Sequence, residues 1–191
     1  MKRFSLWFTF LFVVVSIFSA CSTNTRLELV SAEAEIVNDK NETGSTILQE
    51  GENAGKEVVP TSLYYTFVIK NVGNKKVGDV SKGAGLTVRI EPAEKLVKAS
   101  HEVMGFNIFE PADYDGTGLG FGYSYTATIE EKETGEFTIH YDLGVEEKTE
   151  EVLSVPSVDK IEHLKENALE ATLIVSLGKE EITRFDLSKK N

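Results

Sequence analysis

The segment from Thr61 to Lys70, TSLYYTFVIK, is built largely from aromatic and β-branched residues. It sets Leu63, Tyr65, Phe67 and Ile69 on one side, which commits it to an extended strand with one face turned to a core. The same two-residue period returns in Phe121, Tyr123, Tyr125, Ala127 and Ile129, and again in Phe137, Ile139, Tyr141 and Leu143. Between these runs lies the acidic stretch from Glu130 to Glu136, which carries Gly135. An antiparallel pair with an aromatic inner face follows from that spacing. A chain whose strongest signals are of this kind must bury sheet against another layer.

The flanking segments extend the pattern. Leu27 and Leu29 alternate with charged residues, and Ala32, Ala34 and Ile36 continue one residue out of phase, so a first strand with a bulge near Val30-Ser31 is expected. Residues 38 to 56, NDKNETGSTILQEGENAGK, have no period and are rich in Asn, Gly and Glu; they read as a long mobile loop. Asn71 to Lys75 offers residues that tolerate positive φ and marks a tight reversal. Val77 to Val80 and Leu86 to Glu91 are short strand candidates.

From Pro92 to Gly105 the period changes. Leu96, Val97, Ser100, Val103 and Met104 form a helical stripe between a proline and a glycine placed as helix ends. Phe106 to Phe109 reads as a return to strand. A second short helix, capped by Ser157 or Asp159, runs through Asn167, with Glu162 three residues after Asp159. Leu169 to Leu177 and Glu181 to Leu187 flank Gly178-Lys179 as a last hairpin.

Seven to nine short strands separated by turn signals argue an all-β antiparallel sandwich with one or two short helices. The run Phe67-Val68-Ile69-Lys70-Asn71-Val72-Gly73-Asn74 resembles the strand-and-turn signature of immunoglobulin-like domains in exported bacterial proteins. That resemblance implies an immunoglobulin-like sandwich and names no function.

The first twenty-one residues, MKRFSLWFTFLFVVVSIFSAC, form a processing segment. Lys2 and Arg3 give a cationic start, Phe4 to Phe18 is unbroken by charge, and Ser19-Ala20 supplies small residues ahead of a cysteine. An apolar run this short falls below the roughly 20 residues needed to span a bilayer. An ordinary secretory signal cut after Ala20 would leave Cys21 as an unpaired thiol in an oxidising compartment. Phe18-Ser19-Ala20-Cys21 resembles the lipobox of bacterial lipoprotein signals. The resemblance implies cleavage before Cys21, a diacylglyceryl thioether on it, and a protein anchored by lipid to the cell membrane on its extracytoplasmic face. The chain then divides into a signal peptide at 1–20, a short tether at 21–26 and one sandwich domain at 27–191. Cys21 is the sole cysteine, so the domain has no internal disulfide and holds together by packing.

Loss of the signal removes two basic residues and no acidic one, taking the formal net charge from −11 to −13. Such a surface repels phosphate backbones, which disfavours nucleic-acid binding. Membrane attachment therefore falls to the acyl chains, and two chains suffice for a stable anchor.

No catalytic spacing survives inspection. The glycine run Gly116-Thr117-Gly118-Leu119-Gly120-Phe121-Gly122 lacks the dinucleotide fingerprint and leads into a strand, not a helix. It lets another backbone or a ligand come close, so Asp113 to Gly122 is the first place to look for a binding site, with residues 38 to 56 the second. Asp113-Tyr114-Asp115-Gly116 matches half of a calcium loop, but the bidentate Glu is replaced by Ser124. His101, His140 and His163 show no metal-ligand spacing, and His140 alternates with Ile139 and Tyr141 towards solvent. The expectation is a non-catalytic binding or scaffolding lipoprotein that meets an envelope protein or glycan, without cofactor or metal. The alternatives are a hydrolase or glycan-processing enzyme using Glu110, Asp113 and Asp115, or a calcium- or carbohydrate-dependent recognition module.

Overall fold

The computed structural model describes residues 26–147 and 149–189. The strong alternating segments form its centre. Strand β4 (Thr61–Asn71) pairs antiparallel with β1 (Leu27–Val37) on one side and β7 (Thr134–Gly144) on the other, and β6 (Phe121–Tyr125) completes the sheet in the order β1-β4-β7-β6. A second antiparallel sheet has the order β5-β8-β9, from β5 (Leu86–Pro92), β8 (Ala171–Leu177) and β9 (Glu180–Asp186). The all-β, sandwich-like architecture read from the alternation is found, with helices α2 (Glu94–Met104) and α3 (Val158–Glu166) packed on each other beside the sheets. Shorter elements are α1 (Lys40–Thr43), β2 (Thr46–Ile47) and β3 (Glu57–Val58).

The core follows the two-residue period. Leu63, Tyr65, Phe67 and Ile69 of β4 and Phe137, Ile139, Tyr141 and Leu143 of β7 are buried in one cluster with Leu86 and Ile90 of β5, Leu173 and Val175 of β8, Leu96 of α2 and Leu164 of α3. Tyr65, fully buried, donates its hydroxyl to Ala168 O at 3.0 Å, which satisfies the one polar atom that this row carries into the core. The bulge falls where the phase change put it: the β1 register shifts between Leu29 and Ser31, leaving Val30 exposed. Helix α2 ends at Gly105, whose φ of 84° and bond to His101 O close the last turn in the left-handed conformation that glycine tolerates.

Four expectations are corrected. Residues 38 to 56 are no structureless loop. They hold α1 and β2, and Leu48 at 2% exposure anchors them. Phe106 to Phe109 forms bends and turns, because Ser100 Oγ donates to Phe106 O and accepts from Ile108 N, both at 2.9 Å, curling the chain back on α2. Val77 to Val80 contributes two isolated bridges, Val77 to Ile129 and Asp79 to Ala84, and then enters a 3-10 turn.

The segment Asn71 to Lys75 turns without any positive φ and leads into no hairpin; the buried Asn71 side chain shapes it instead. Its Nδ2 donates to Lys75 O at 2.7 Å, Glu130 O at 3.1 Å and Ile129 O at 3.2 Å, and its Oδ1 accepts from Gly73 N at 3.0 Å. One amide thus ties the end of β4 to the turn before β7. Asn71→Ala strands these buried groups together, and chemical denaturation is expected to show a loss on the order of 3 kcal/mol. A change below about 0.5 kcal/mol, the range of an ordinary surface substitution, would show that the staple is dispensable.

Candidate functional site

The side chains of β4 and β7 that alternate away from the core lie on the outer face of the first sheet. Ser62 and Tyr64 of β4 sit beside Asp142 and His140 of β7 in the paired register. His140 stacks on Tyr64 with centroids 6.2 Å apart and planes 2° from parallel. Gly122 of β6 pairs with His140, and a Cβ there would overlap the imidazole, so the missing side chain is what lets the ring lie flat over the sheet. His140 is on the outer face as its alternation required, but it is half covered. Burial lowers its pKa below 6.5, opposed by the charge of Asp142.

Asp142 is the chemically distinctive group. Its Oδ1 accepts from the fully buried Ser62 hydroxyl at 2.7 Å, and its Oδ2 accepts from the Gly120 amide at 3.1 Å. Burial raises its pKa above 3.8, while the Ser62 bond, the nearby His140 and the Gly120 bond pull the other way. An ionised carboxylate has about four acceptor positions, and two are used here.

Asp142 lines a cleft of about 210 Å³ together with Thr43, Ser45, Thr46 and Pro60 from one side and Gly118, Leu119 and Gly120 from the other. The two segments singled out in the sequence, 38–56 and 113–122, therefore meet at one place. They are held there by a small separate cluster of Leu48, Val58, Val145 and Val152, with Leu119 packed against it. Gly118 makes the junction possible. Its φ is 69°, and an added Cβ would overlap the carbonyl oxygen of Glu151, while the Thr117 carbonyl accepts from Leu153 N at 3.1 Å. Across the same junction the Glu151 carboxylate accepts from the amides of Gln49 (2.9 Å) and Glu50, and Lys56 pairs with Glu147 at 2.9 Å.

On the other side of α1, a second outer-face cleft of about 340 Å³ is lined by Glu33, Glu35, Glu42 and Glu136, and Glu42 accepts from the Tyr64 hydroxyl at 2.9 Å. The carboxylates Glu110, Asp113 and Asp115 are exposed and line neither cleft; Asp113 accepts from the amide of Asn107 at 3.1 Å. Among the described residues no group of three or more His, Cys, Asp or Glu is placed to hold a metal ion. Cys21 lies outside the described residues.

The sequence reading missed Asp142 and Ser62. The available signal was a carboxylate, Asp142, at an outward position of an otherwise strong strand, though only strand pairing sets Ser62 beside it. The strand Phe121–Tyr125 departs from expectation in another way. Its aromatic residues share the core-facing side of the sheet but are exposed, Phe121 by 43%, Tyr123 by 65% and Tyr125 by 42%, because the strand lies at the sheet edge.

Because the folded-state pKa of Asp142 is raised, its contribution to stability is fully present below the unfolded value near 3.9 and declines as pH rises through the folded value. A carboxyl-carbon NMR titration should place its midpoint above the ordinary aspartate value, and Ser62→Ala should move it further up by removing a bond that favours the charged form. A midpoint at or below 3.8, or a downward move in Ser62→Ala, contradicts this arrangement. Comparison of the chain with protein-family models, with curated proteins and with solved structures finds no match.

Proposed function

We propose that the chain is a lipoprotein of the bacterial cell envelope. On this reading it is anchored to the membrane at the extracytoplasmic face by lipid on Cys21, and its immunoglobulin-like β-sandwich binds or scaffolds another envelope component without catalysis. The sequence Phe18-Ser19-Ala20-Cys21 supports the anchor. No described helix is long and apolar enough to cross a membrane.

The observation that carries the binding part is the cleft where residues 43–46 and 118–120 converge over Asp142. Its acceptor carboxylate, hydroxyl-bearing wall and apolar Val145 and Val152 suit a protein or glycan that presents hydroxyl or N–H donors. The neighbouring cleft with its four glutamates disfavours an anionic partner such as nucleic acid. Separation of Glu110, Asp113 and Asp115 from both clefts speaks for binding over the hydrolytic alternative.

Two measurements test the reading. The intact mass of the protein purified from its native membrane is expected to begin at Cys21 and to include a diacylglyceryl group. A photoreactive residue at the exposed Thr46 position is expected to capture a defined set of envelope neighbours in intact cells, lost in Cys21→Ser. A chain still beginning at Met1, a trimmed chain without added lipid, or a neighbour set indifferent to Cys21→Ser contradicts the proposal.

A further inference from the structure

The side chains around the Asp142 cleft offer acceptors far more than donors. Thr43 Oγ1 has given its hydrogen to Asp39 O at 3.0 Å, and Ser45 Oγ has given its own to Glu57 at 2.6 Å, so both oxygens keep only lone pairs. The amides of Leu119 and Gly120 are spent on Thr117 Oγ1 and Asp142 Oδ2, each at 3.1 Å. Of the polar side chains on the wall, Thr46 alone keeps an uncommitted hydroxyl hydrogen. Asp142 adds the open acceptor positions of its carboxylate. Such a wall suits a group that donates and has no lone pair of its own to leave unsatisfied. Hydroxyl groups and sugars carry both functions, whereas an ammonium group only donates.

Charge points the same way. Among the described residues no lysine or arginine forms an ion pair with Asp142. The lysines of the roof are engaged elsewhere, Lys40 with Glu57 at 2.5 Å and Lys56 with Glu147 at 2.9 Å. His140 stands near on the same strand, but its burial favours the neutral ring. The carboxylate is thus half-buried without a fixed cation, which is why burial raises its pKa. Across α1 the four glutamates of the second cleft add negative potential.

The bonds that Asp142 already accepts decide between the two basic side chains. Ser62 occupies one oxygen and Gly120 the other, which leaves no clear pair for a bidentate guanidinium but suffices for a single-point ammonium. Pro60 and Leu119, on opposite sides, provide apolar atoms along which a methylene stem can lie. We propose that the Asp142 cleft receives a lysine side chain of a partner protein, its ammonium group on the Asp142 carboxylate and its stem between Pro60 and Leu119. The assignment rests on the reading of this cleft as the binding site and gives that reading its ligand.

Titration of the purified full chain with n-butylammonium chloride, read by NMR at the Gly120 amide and the Asp142 carboxyl carbon, tests it. Both signals should move and saturate, while sodium chloride at equal ionic strength should move neither. n-Butanol, of the same length but uncharged, should bind at least about tenfold more weakly, because a hydrogen bond between charged partners is the stronger one. Saturation should also lower the titration midpoint of Asp142, a readout on the unaltered protein that needs no variant to fold. Asp142→Asn should lose the response, and Nα-acetyl-lysine methylamide should reproduce it where its norleucine counterpart does not. A flat response to n-butylammonium overturns the proposal, as does an equal response to n-butanol, an unmoved Asp142 midpoint, or an Asp142→Asn chain that responds like wild type. Tighter binding of methylguanidinium or of glucosamine overturns it too, by assigning the cleft to an arginine or an amino sugar. The cleft as a binding site is judged separately by cross-linking from Thr46 in cells, whose outcome does not depend on the charge of the bound group.

Discussion

Everything in this molecule depends on two apolar rows facing the same way: Leu63, Tyr65, Phe67 and Ile69 on β4, and Phe137, Ile139, Tyr141 and Leu143 on β7. The single cysteine of the sequence permits no intrachain disulfide, so burial must stabilise the fold. Each such side chain contributes on the order of 1.5–3 kcal/mol when fully removed from water. These two strands lie side by side in the middle of the larger sheet, and the second sheet and both helices close over their inner face.

The same rows decide where chemistry can occur. With a period of two, burying Tyr141 and Leu143 forces Asp142 to the opposite face, and burying Leu63 does the same to Ser62. A slip of one residue in register would drive Asp142 into the core, where an ionised carboxylate without partners is costly. The outer-face cleft is thus a by-product of core packing, which explains why a hydroxyl at 0% exposure and a half-buried carboxylate meet at 2.7 Å. What roofs the cleft is a different matter. The small cluster around Leu48, Val58, Val145 and Val152 has no part in the main core and holds the roof by a few side chains and the Glu151 carboxylate.

Elements with a strong local period were legible in the sequence. The strands around Tyr65 and Ile139, the helix ending at Gly105, the bulge at Val30 and the final hairpin all follow from alternation or capping that nearest neighbours decide. Failures came where distant partners decide. Leu48 gives residues 38–56 an order that their composition conceals, because Val145 and Val152, its neighbours in the small cluster, lie about a hundred residues away. The aromatic run at Phe121 looked like core because alternation reports which side a residue takes and not whether anything covers it. Ser62 and Asp142, 80 residues apart, become neighbours through strand pairing alone. The importance of the glycine run was legible. Its use was not, since Gly118 makes room for the Glu151 carbonyl and Gly122 for an imidazole ring.

A hierarchy of stability follows from this division between one large core and one small cluster. Native-state amide hydrogen exchange measures it most directly. Amides of Leu63 to Ile69 and of Phe137 to Leu143 should exchange only through global unfolding. The amide of Leu48, which donates to Lys56 O at 3.0 Å, should exchange through a smaller local opening that leaves the central strands protected. Central-strand amides that open below the global free energy, or a Leu48 amide as slow as they are, would contradict the account.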